Sequence, residues 1–191
     1  LRLPVIGSPL FIVSSPRLVI EQCKAGIVGS FPALNARPEP VLEQWLVQIR
    51  SELDAFQREH PERRVAPFAV NQIVHSSNNR LAHDIAVCRE HKVPIQITSL
   101  RAPDEVVEAA HSYGGLVYHD VTNVKHAKRA LQAGVDGLIL VCSGAGGHAG
   151  SLSPFALLTA VREFYDGTII LSGAISTGAG IIAAQALGPH A

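Results

Sequence analysis

Short apolar runs rich in β-branched residues alternate along this chain with longer stretches in which apolar residues recur every three or four positions. The first pattern is typical of buried strands, and the second is typical of helices that bury one face. The strand cores lie at residues 5–6, 27–28, 68–70, 94–97, 116–118, 138–141 and 169–171. Helices are predicted after them over 16–25, 42–56, from about 81, from 103, from 124, from 154 and over 178–187. The pattern therefore predicts seven consecutive strand–helix units.

The ends of several helices carry chemical signals. Ser153 followed by Pro154 predicts an N-cap and a proline in the first helical turn. Glycine commonly ends a helix because it adopts left-handed backbone angles without steric cost. Four glycines stand where predicted helices stop, namely Gly26, Gly114, Gly134 and Gly188. The proline-rich residues 32–40 are predicted to form a loop that enters the second helix.

Uninterrupted β/α alternation with right-handed crossovers builds either an open doubly wound sheet or a closed parallel barrel. Every predicted strand is short, apolar and expected to be buried on both faces, and none is charged like an exposed edge. We therefore predict an α/β fold of the (β/α)8 TIM-barrel class. Because seven units are one short of eight, we expect residues 1–191 to form a single barrel domain, incomplete at the C-terminus, whose eighth unit is missing.

Composition narrows the class of protein. Hydrophobic residues make up 47% of the 191 positions, and sixteen basic residues balance sixteen acidic ones. A neutral, apolar chain with few aromatic residues favours a folded domain that binds neither nucleic acid nor a membrane. The three widely spaced cysteines form neither a disulfide framework nor a CxxC zinc motif, so we expect a cytoplasmic protein. Of the three, Cys142 is the candidate for a redox or catalytic role because it adjoins a glycine-rich segment.

That glycine-rich segment, residues 144–150, follows a predicted strand and contains His148. Glycine allows the backbone to approach a ligand closely, and histidine exchanges protons under physiological conditions. A small-molecule site is one interpretation, and a flexible loop with a solvated His148 is the other.

The carboxyl ends of parallel strands are where barrel enzymes place their working groups. On this interpretation Asn71 follows the third strand, and His119, Asp120 and Thr122 follow the fifth. Residues 172–178 end a strand and start a helix, so their amides suit a phosphate. Although the chain has nine histidines, it has no HxH or HExxH spacing, and we predict no metal site.

Six segments together resemble the nitronate monooxygenase family, formerly called 2-nitropropane dioxygenases. They are residues 4–10 (PVIGSPL), 68–71 (FAVN), 133–137 (AGVDG), 146–150 (GGHAG), 172–175 (SGAI) and 183–188 (AAQALG). The segments cover essentially the whole chain in the family's order. The glycine–histidine segment is the most specific of them.

The resemblance implies an FMN-dependent TIM barrel that oxidises alkyl nitronates with O2 to carbonyl compounds and nitrite. It implies that His148 is the catalytic base and that its half-buried imidazole faces the flavin. The implied cofactor-binding residues are Ser8, Pro9 and Leu10 along the isoalloxazine ring, Asn71 and Gly147 in contact with the flavin, and Gly173 and Ala174 at the phosphate. The implied partners are a small-molecule substrate and O2, and a homodimer is compatible with the sequence.

Three positions depart from the family's pattern, and several alternative functions stay open. Family members often carry methionine at position 10, lysine in some cases at position 120, and Gly-Gly at positions 173–174. A phosphate-binding segment of the eighth unit is also absent from these 191 residues. The first alternative is a related FMN barrel reductase that uses NAD(P)H, such as an enoyl-acyl-carrier-protein reductase of the flavin type or an NADH:quinone reductase. A non-catalytic phosphate-binding barrel and a metal-dependent lyase are the others.

Overall fold

A computed structural model describes residues 1–188 of the chain. In this range it contains seven α-helices, one 3₁₀-helix and six strands. In chain order they are α1 (Pro16–Lys24), β1 (Gly29–Pro32), the 3₁₀-helix (Ala33–Asn35), α2 (Val41–Glu59), β2 (Phe68–Val74), α3 (Leu81–Glu90), β3 (Ile95–Leu100), α4 (Asp104–His111), β4 (Leu116–Val121), α5 (Val124–Gln132), β5 (Gly137–Val141), α6 (Pro154–Arg162), β6 (Thr168–Ser172) and α7 (Gly178–Ala186). The strands are hydrogen-bonded in their chain order, β1 to β6.

The chain divides into two compact units. The first unit comprises residues 1–97 and 108–116, and the second comprises residues 98–107 and the chain from 117 onward. The prediction of a single domain over residues 1–191 stays a prediction. The eighth strand–helix unit was expected to be missing from residues 1–191, and the end of the chain at which that expectation was made, residues 189–191, lies outside the described residues.

In the first unit, α1 packs against β1 and α2, and β1 pairs in parallel with β2. The buried face of α2 follows the predicted three-to-four spacing through Leu42, Leu46, Ile49 and Leu53. These side chains join Val19, Ile20, Phe31 and Val70 in one apolar core. The amphipathic pattern in the sequence therefore fixes which side of each helix is buried.

The two N-terminal strands differ from the prediction. Residues 5–6 form only an isolated bridge, Ile6 to Val28, because Pro4 and Pro9 flank them and donate no backbone N–H. The next strand begins at Gly29 rather than Ile27, because the N–H of Ile27 still bonds to the carbonyl oxygen of Gln22 at the end of α1.

The proline-rich residues 32–40 also contain more structure than predicted. They were expected to form a loop throughout, but Ala33–Asn35 forms a 3₁₀-helix. This turn is too short for a periodic hydrophobic signal, so the sequence pattern does not distinguish it from an irregular loop.

In the second unit, β4 pairs in parallel with β5, and β5 pairs in parallel with β6. The predicted N-cap of α6 is confirmed, since the Ser153 side chain accepts a hydrogen bond from the N–H of Ala156. Asn123 and Thr177 cap α5 and α7 in the same way. The second unit therefore starts its helices α5 to α7 with side-chain caps at the carboxyl ends of its strands.

The predicted helix stops are confirmed. Gly26, Gly114, Gly134 and Gly188 all have positive φ angles, between 71° and 89°. Burial of every strand on both faces is wrong for β4, where one face holds the exposed Leu116 and the partly buried Tyr118 and Asp120. It is also wrong for β6, where Thr168 is exposed and only Ile169 is fully buried, because β6 is the last strand of the sheet in the described chain. Within residues 1–188, none of the helices combines the length and apolarity needed to cross a bilayer.

Candidate functional site

The loop between β5 and α6 carries the predicted glycine–histidine segment. Its start is fixed by two backbone hydrogen bonds, from the N–H of Cys142 to the carbonyl of Ser172 at 2.9 Å and from the N–H of Ser143 to the carbonyl of Leu152 at 2.8 Å. Gly144 and Gly147 have φ angles of 91° and 70°, and residues that carry a side chain rarely adopt such angles. The glycines are therefore required by the path of the backbone itself.

His148 lies in the outer part of this loop and is exposed. The expectation of a half-buried imidazole is wrong for this structure, because the neighbouring residues Gly146, Gly147 and Ala149 are exposed as well and offer no side chain large enough to cover the ring. An exposed imidazole is accessible to a ligand that binds over the loop.

The predicted phosphate turn packs directly against this loop. Gly173 has a φ of 148°, and a Cβ placed on it would lie 3.0 Å from the carbonyl oxygen of Ser143. A Cβ on Gly144 would lie 3.4 Å from the Cβ of Ala174. The structure thus brings the segment with Gly147 and His148 and the turn with Gly173 and Ala174 to the same edge of the second unit.

The end of this turn can accept an anion. Helix α7 begins with N–H groups that no helix carbonyl can pair, and the Thr177 hydroxyl satisfies only that of Gly180, at 3.1 Å. A Cβ on Gly147 or Gly178 would meet nothing within 4 Å. The backbone at Gly147 and at Gly178 therefore borders open space, and a ligand with a phosphate group could approach it there.

Two polar pairs join β3 and β4 in the second unit. The Ser99 hydroxyl donates to Oδ2 of Asp120 at 2.6 Å, and Thr98 Oγ1 lies 2.7 Å from Nδ1 of His119. Because successive side chains of a strand point to opposite faces, His119 and Asp120 lie on opposite sides of β4. The sequence analysis predicted that both residues belong to one site at the end of the strand, and the structure places them on opposite faces of the sheet.

The environments of these two residues shift their proton equilibria in opposite senses. Burial, together with the nearby His126 of α5, lowers the pKa of His119 to about 4. Burial raises the pKa of Asp120 to about 6, although the hydrogen bond from Ser99 acts in the other direction. His119 is consequently a neutral side chain packed on the α5 side of the sheet, and Asp120 is a carboxyl group that exchanges its proton not far below neutral pH.

Cys142 does not suit the redox or catalytic role considered for it. The residue is buried, its thiol donates to the carbonyl of Leu140 at 3.4 Å, and burial raises its pKa. Since the thiolate is the reactive form, a protonated buried thiol is unreactive. Its neighbour along the chain, the glycine-rich loop, is solvent-exposed, and this contrast is not visible in the sequence.

In the first unit, residues 8–10 form the start of a tight turn. Ser8 and Leu10 are exposed and Pro9 is half-buried. The N–H of Leu10 donates to the Ser14 hydroxyl at 2.9 Å, and the amide group of Asn35 donates to the carbonyls of Leu10 and Ser14, both at 2.9 Å. Sequence reasoning missed Asn35, because a contact over more than twenty residues leaves no local signal.

Asn71 occupies a different setting from the turn. It is buried in β2, and its amide nitrogen donates to the carbonyl of Ile97 in β3 at 3.3 Å. Its side chain therefore joins two strands of the first unit, and its proposed bond to a flavin stays a prediction. Across residues 1–188, there is no group of three or more His, Cys, Asp or Glu side chains that could hold a metal ion.

The strand–helix order, with these loops at the carboxyl ends of the strands, is that of a (β/α)8-barrel enzyme, and the predicted fold class is confirmed. Residues 32–191 match the family model described as nitronate monooxygenase. The chain belongs to the nitronate monooxygenase family, whose members are oxidoreductases and in general depend on a flavin.

Individual relatives and a solved structure match nearly the whole chain. One relative is (3aS,4S,5R,7aS)-5-hydroxy-7a-methyl-1-oxo-octahydro-1H-indene-4-carboxyl-CoA dehydrogenase of Rhodococcus jostii (strain RHA1). The two sequences are 25% identical over 185 residues, and the match covers 97% of this chain and 48% of that protein. The chain is 27% identical over 229 residues to nitronate monooxygenase of Paraburkholderia phytofirmans (strain DSM 17436 / LMG 22146 / PsJN), covering 98% of this chain and 61% of that protein. The structure of FabK from Thermotoga maritima matches with a TM-score of 0.85 and 26% identity, over 100% of this chain and 57% of that chain. The chain thus spans about half to three fifths of the length of these proteins.

Proposed function

We propose that the protein is an FMN-dependent nitronate monooxygenase, which oxidises alkyl nitronates with O2 to a carbonyl compound and nitrite. Membership of the family supports the reaction class. The observation that carries the proposal for this chain is the packing of the Gly173 turn against the loop that bears His148, with Ser143 as the point of contact. A proton-exchanging side chain and an anion-accepting turn at one edge match a phosphate-bearing cofactor and an acidic or anionic substrate.

The residues of the second unit suit such a cofactor. The backbone of Gly173 and Ala174 and the N-terminus of α7 would hold its phosphate, and Gly147 would lie against it where no side chain fills the space. The family resemblance adds Ser8, Pro9, Leu10 and Asn71 of the first unit as further flavin-binding residues. The hydrogen bond from Asn35 to the carbonyl of Leu10 supports this assignment for Leu10, because a backbone held in place can be set against a planar ring.

FMN, when bound, supplies the transfer of electrons between substrate and O2. The protein's part is to bind, orient and exchange protons. His148 accepts the α-proton of a neutral nitroalkane at a ring nitrogen, or donates a hydrogen bond to an anionic nitronate, and its exposed position lets the substrate reach it. The glycines around it leave room for the substrate beside the imidazole.

The visible absorption spectrum of the purified full chain tests the cofactor, and flavin bands are expected. Mixing the protein anaerobically with an alkyl nitronate is expected to bleach those bands. With the neutral nitroalkane in place of the nitronate, so that an α-proton must be removed, His148→Ala is expected to slow the bleaching by about 100-fold or more. The matched control is His111→Ala, which removes another exposed imidazole, at the end of α4. A colourless protein that stays colourless when FMN is added contradicts the proposal, and equal rates in both variants exclude His148 as the base.

A second candidate is a flavin reductase that oxidises NAD(P)H. The relative from Rhodococcus jostii, which matches 97% of this chain, is named a dehydrogenase rather than a monooxygenase, so a second class of redox reaction is a candidate. Anaerobic mixing with NADH distinguishes the two, since a reductase bleaches its flavin rapidly with NADH and a nitronate monooxygenase does so with the nitronate. The cytoplasmic location and the homodimer stay predictions.

A further inference from the structure

The loop after β5 returns to α6 over the carboxyl ends of β4 and β5. The two strands are parallel and Val121 is in register with Leu140, so Thr122 and Val141 follow side by side. Gly150 lies directly against both of these residues. A Cβ on Gly150 would overlap the carbonyl oxygen of Val141 and would stand 3.2 Å from Cβ and 3.5 Å from Cγ2 of Thr122. Thr122 therefore supports the returning part of the loop.

Thr122 is itself held by the start of α5. Its hydroxyl oxygen lies 3.3 Å from Nδ1 of His126, and the N–H of His126 donates to Oδ1 of Asn123 at 2.9 Å. The amide nitrogen of Asn123 lies 3.2 Å from the same ring nitrogen of His126. The hydroxyl group of Thr122 thus faces α5, whereas its Cβ and its methyl group face Gly150.

The contact between Thr122 and Gly150 lies two residues from His148 along the chain. His148 is exposed, and Gly147 and Ala149 are too small to orient it, so the backbone sets the place of the imidazole. That backbone is tightly turned, because the N–H of Ala149 donates to the carbonyl oxygen of Gly147 at 3.0 Å. A displacement of Gly150 is therefore passed to His148.

We propose, resting on the function proposed above, that Thr122 is a positioning residue: by supporting Gly150, it holds the imidazole of His148 where a ring nitrogen can accept the α-proton of a neutral nitroalkane. In that step the C–H bond breaks, the ring nitrogen takes the proton, and the electron pair stays on the nitronate that forms. A nitronate supplied as such has already lost this proton, so its oxidation depends less on the place of the imidazole. The methyl group of Thr122, rather than its hydroxyl, carries the effect.

The test compares two anaerobic rates of flavin bleaching by the full chain, one with neutral nitroethane and one with ethyl nitronate, and takes their ratio. Gly150→Ala is expected to lower this ratio by about 10- to 100-fold, because the added Cβ forces the loop away from Val141 and Thr122. Thr122→Ser keeps the hydroxyl but loses the methyl group, and it is expected to lower the ratio by about two- to tenfold. Partial unfolding lowers both rates together and leaves the ratio unchanged.

Two further variants separate the methyl group from other causes. Thr122→Val keeps a methyl group against Gly150 and removes the hydroxyl, so its ratio is expected to lie nearer to that of the unmodified protein than the ratio of Thr122→Ser does. Thr159→Ser removes the same methyl group from an exposed threonine of α6, whose hydroxyl donates to the carbonyl oxygen of Phe155 at 2.8 Å. This control is expected to keep the ratio of the unmodified protein.

A second measurement, by NMR, needs no activity. The Cε1–H resonance of His148, assigned by its absence in His148→Ala, is expected to move in Gly150→Ala and in Thr122→Ser. The resonance of His111, which is exposed at the end of α4, is expected to stay in place. Movement confined to His148 identifies a local displacement of the loop rather than a general loss of structure.

Equal ratios in Thr122→Ser and the unmodified protein overturn the proposal, and so does a lower ratio in Thr122→Val than in Thr122→Ser. The proposal also fails if the unmodified protein oxidises ethyl nitronate but not nitroethane, because no proton transfer then needs His148. If neither compound bleaches the flavin, the proposed function fails and the NMR measurement alone decides the positioning role. An unmoved His148 resonance then rejects that role, and a moved one leaves Thr122 as the residue that positions His148.

Discussion

The carbonyl oxygen of Ser143 lies only 3.0 Å from the position that a Cβ on Gly173 would occupy. The loop after β5 and the turn after β6 can therefore come this close only because residue 173 is glycine. The turn also needs the positive φ of Gly173, which most side chains avoid. Both the close contact with Ser143 and the backbone angle therefore require glycine at position 173.

Gly173→Ala is expected to lower the free energy of unfolding by about 1–3 kcal/mol, because the added methyl group meets backbone that has little freedom to move. Urea denaturation measures this loss. Gly178→Ala is the matched control, since its Cβ would meet nothing within 4 Å, and it is expected to leave stability unchanged or slightly raised. Equal stability of the two variants would show that the loop and the turn separate readily in solution.

Ala174→Gly is expected to raise the free energy of unfolding by up to about 1 kcal/mol, because Ala174 adopts a φ of 53° at which its side chain is strained. The same replacement at Ala183, in the middle of α7, is expected to lower stability by about 1 kcal/mol. Thermal or urea denaturation of both variants checks the opposite signs. A loss of stability in both would mean that the turn at residue 174 is not strained.

Asn35→Ala is expected to lower the free energy of unfolding by about 1–3 kcal/mol, because it removes three hydrogen bonds to the turn at residues 10–14. Chymotrypsin is also expected to cleave after the exposed Phe11 sooner than in the unmodified protein. Asn79→Ala, in the exposed loop after β2, serves as the control. Unchanged cleavage after Phe11 in Asn35→Ala would show that the turn is held by its own backbone alone.

His119→Gln is expected to reduce the slope with which the free energy of unfolding falls as the pH is lowered from about 6.5 to 4. The folded-state pKa of His119, about 4, lies below its ordinary value of 6.5, so the unfolded chain takes up this proton first. The contribution of neutral His119 is therefore complete above about pH 6.5 and is lost as the pH falls toward 4, by up to about 1.4 kcal/mol per pH unit. Urea denaturation across this range measures the slope.

Two features of that experiment make it selective. Asp120 changes stability in the opposite sense over part of the range, because its raised pKa lets the folded protein bind a proton first. Asp120 is present in both His119→Gln and the unmodified protein, so its contribution cancels when their free energies of unfolding are subtracted. His111→Gln, an exposed histidine, is expected to keep the slope of the unmodified protein. The role of buried His119 is rejected if His119→Gln and the unmodified protein have equal slopes.

Local chemistry explains which parts of the fold could be predicted. The N-cap at Ser153 and the helix stops at Gly114 and Gly134 depend on a few consecutive residues, so the sequence alone indicates them. The strand at residues 5–6 is reduced to a bridge because its pairing depends on Val28 and on flanking prolines rather than on its own apolar character.

The candidate site divides in the same way. Glycine at 147 and 173 and the histidine at 148 are visible as a pattern, and the positive φ angles of both glycines agree with what the pattern requires. The exposure of His148 is not visible, since it depends on how the loop is folded back through Ser143 and Leu152.

The order of strands and helices, the ends of most helices and the family were determined by the sequence itself, because periodic burial, capping and motifs are properties of neighbouring residues. Tertiary structure alone decided that Ser99 would bind Asp120 and that Asn35 would hold residues 10–14. These relationships depend on strand register and on contacts between residues about twenty positions apart. The environment of a side chain, and with it the pKa of Asp120, exists only after such distant segments have come together.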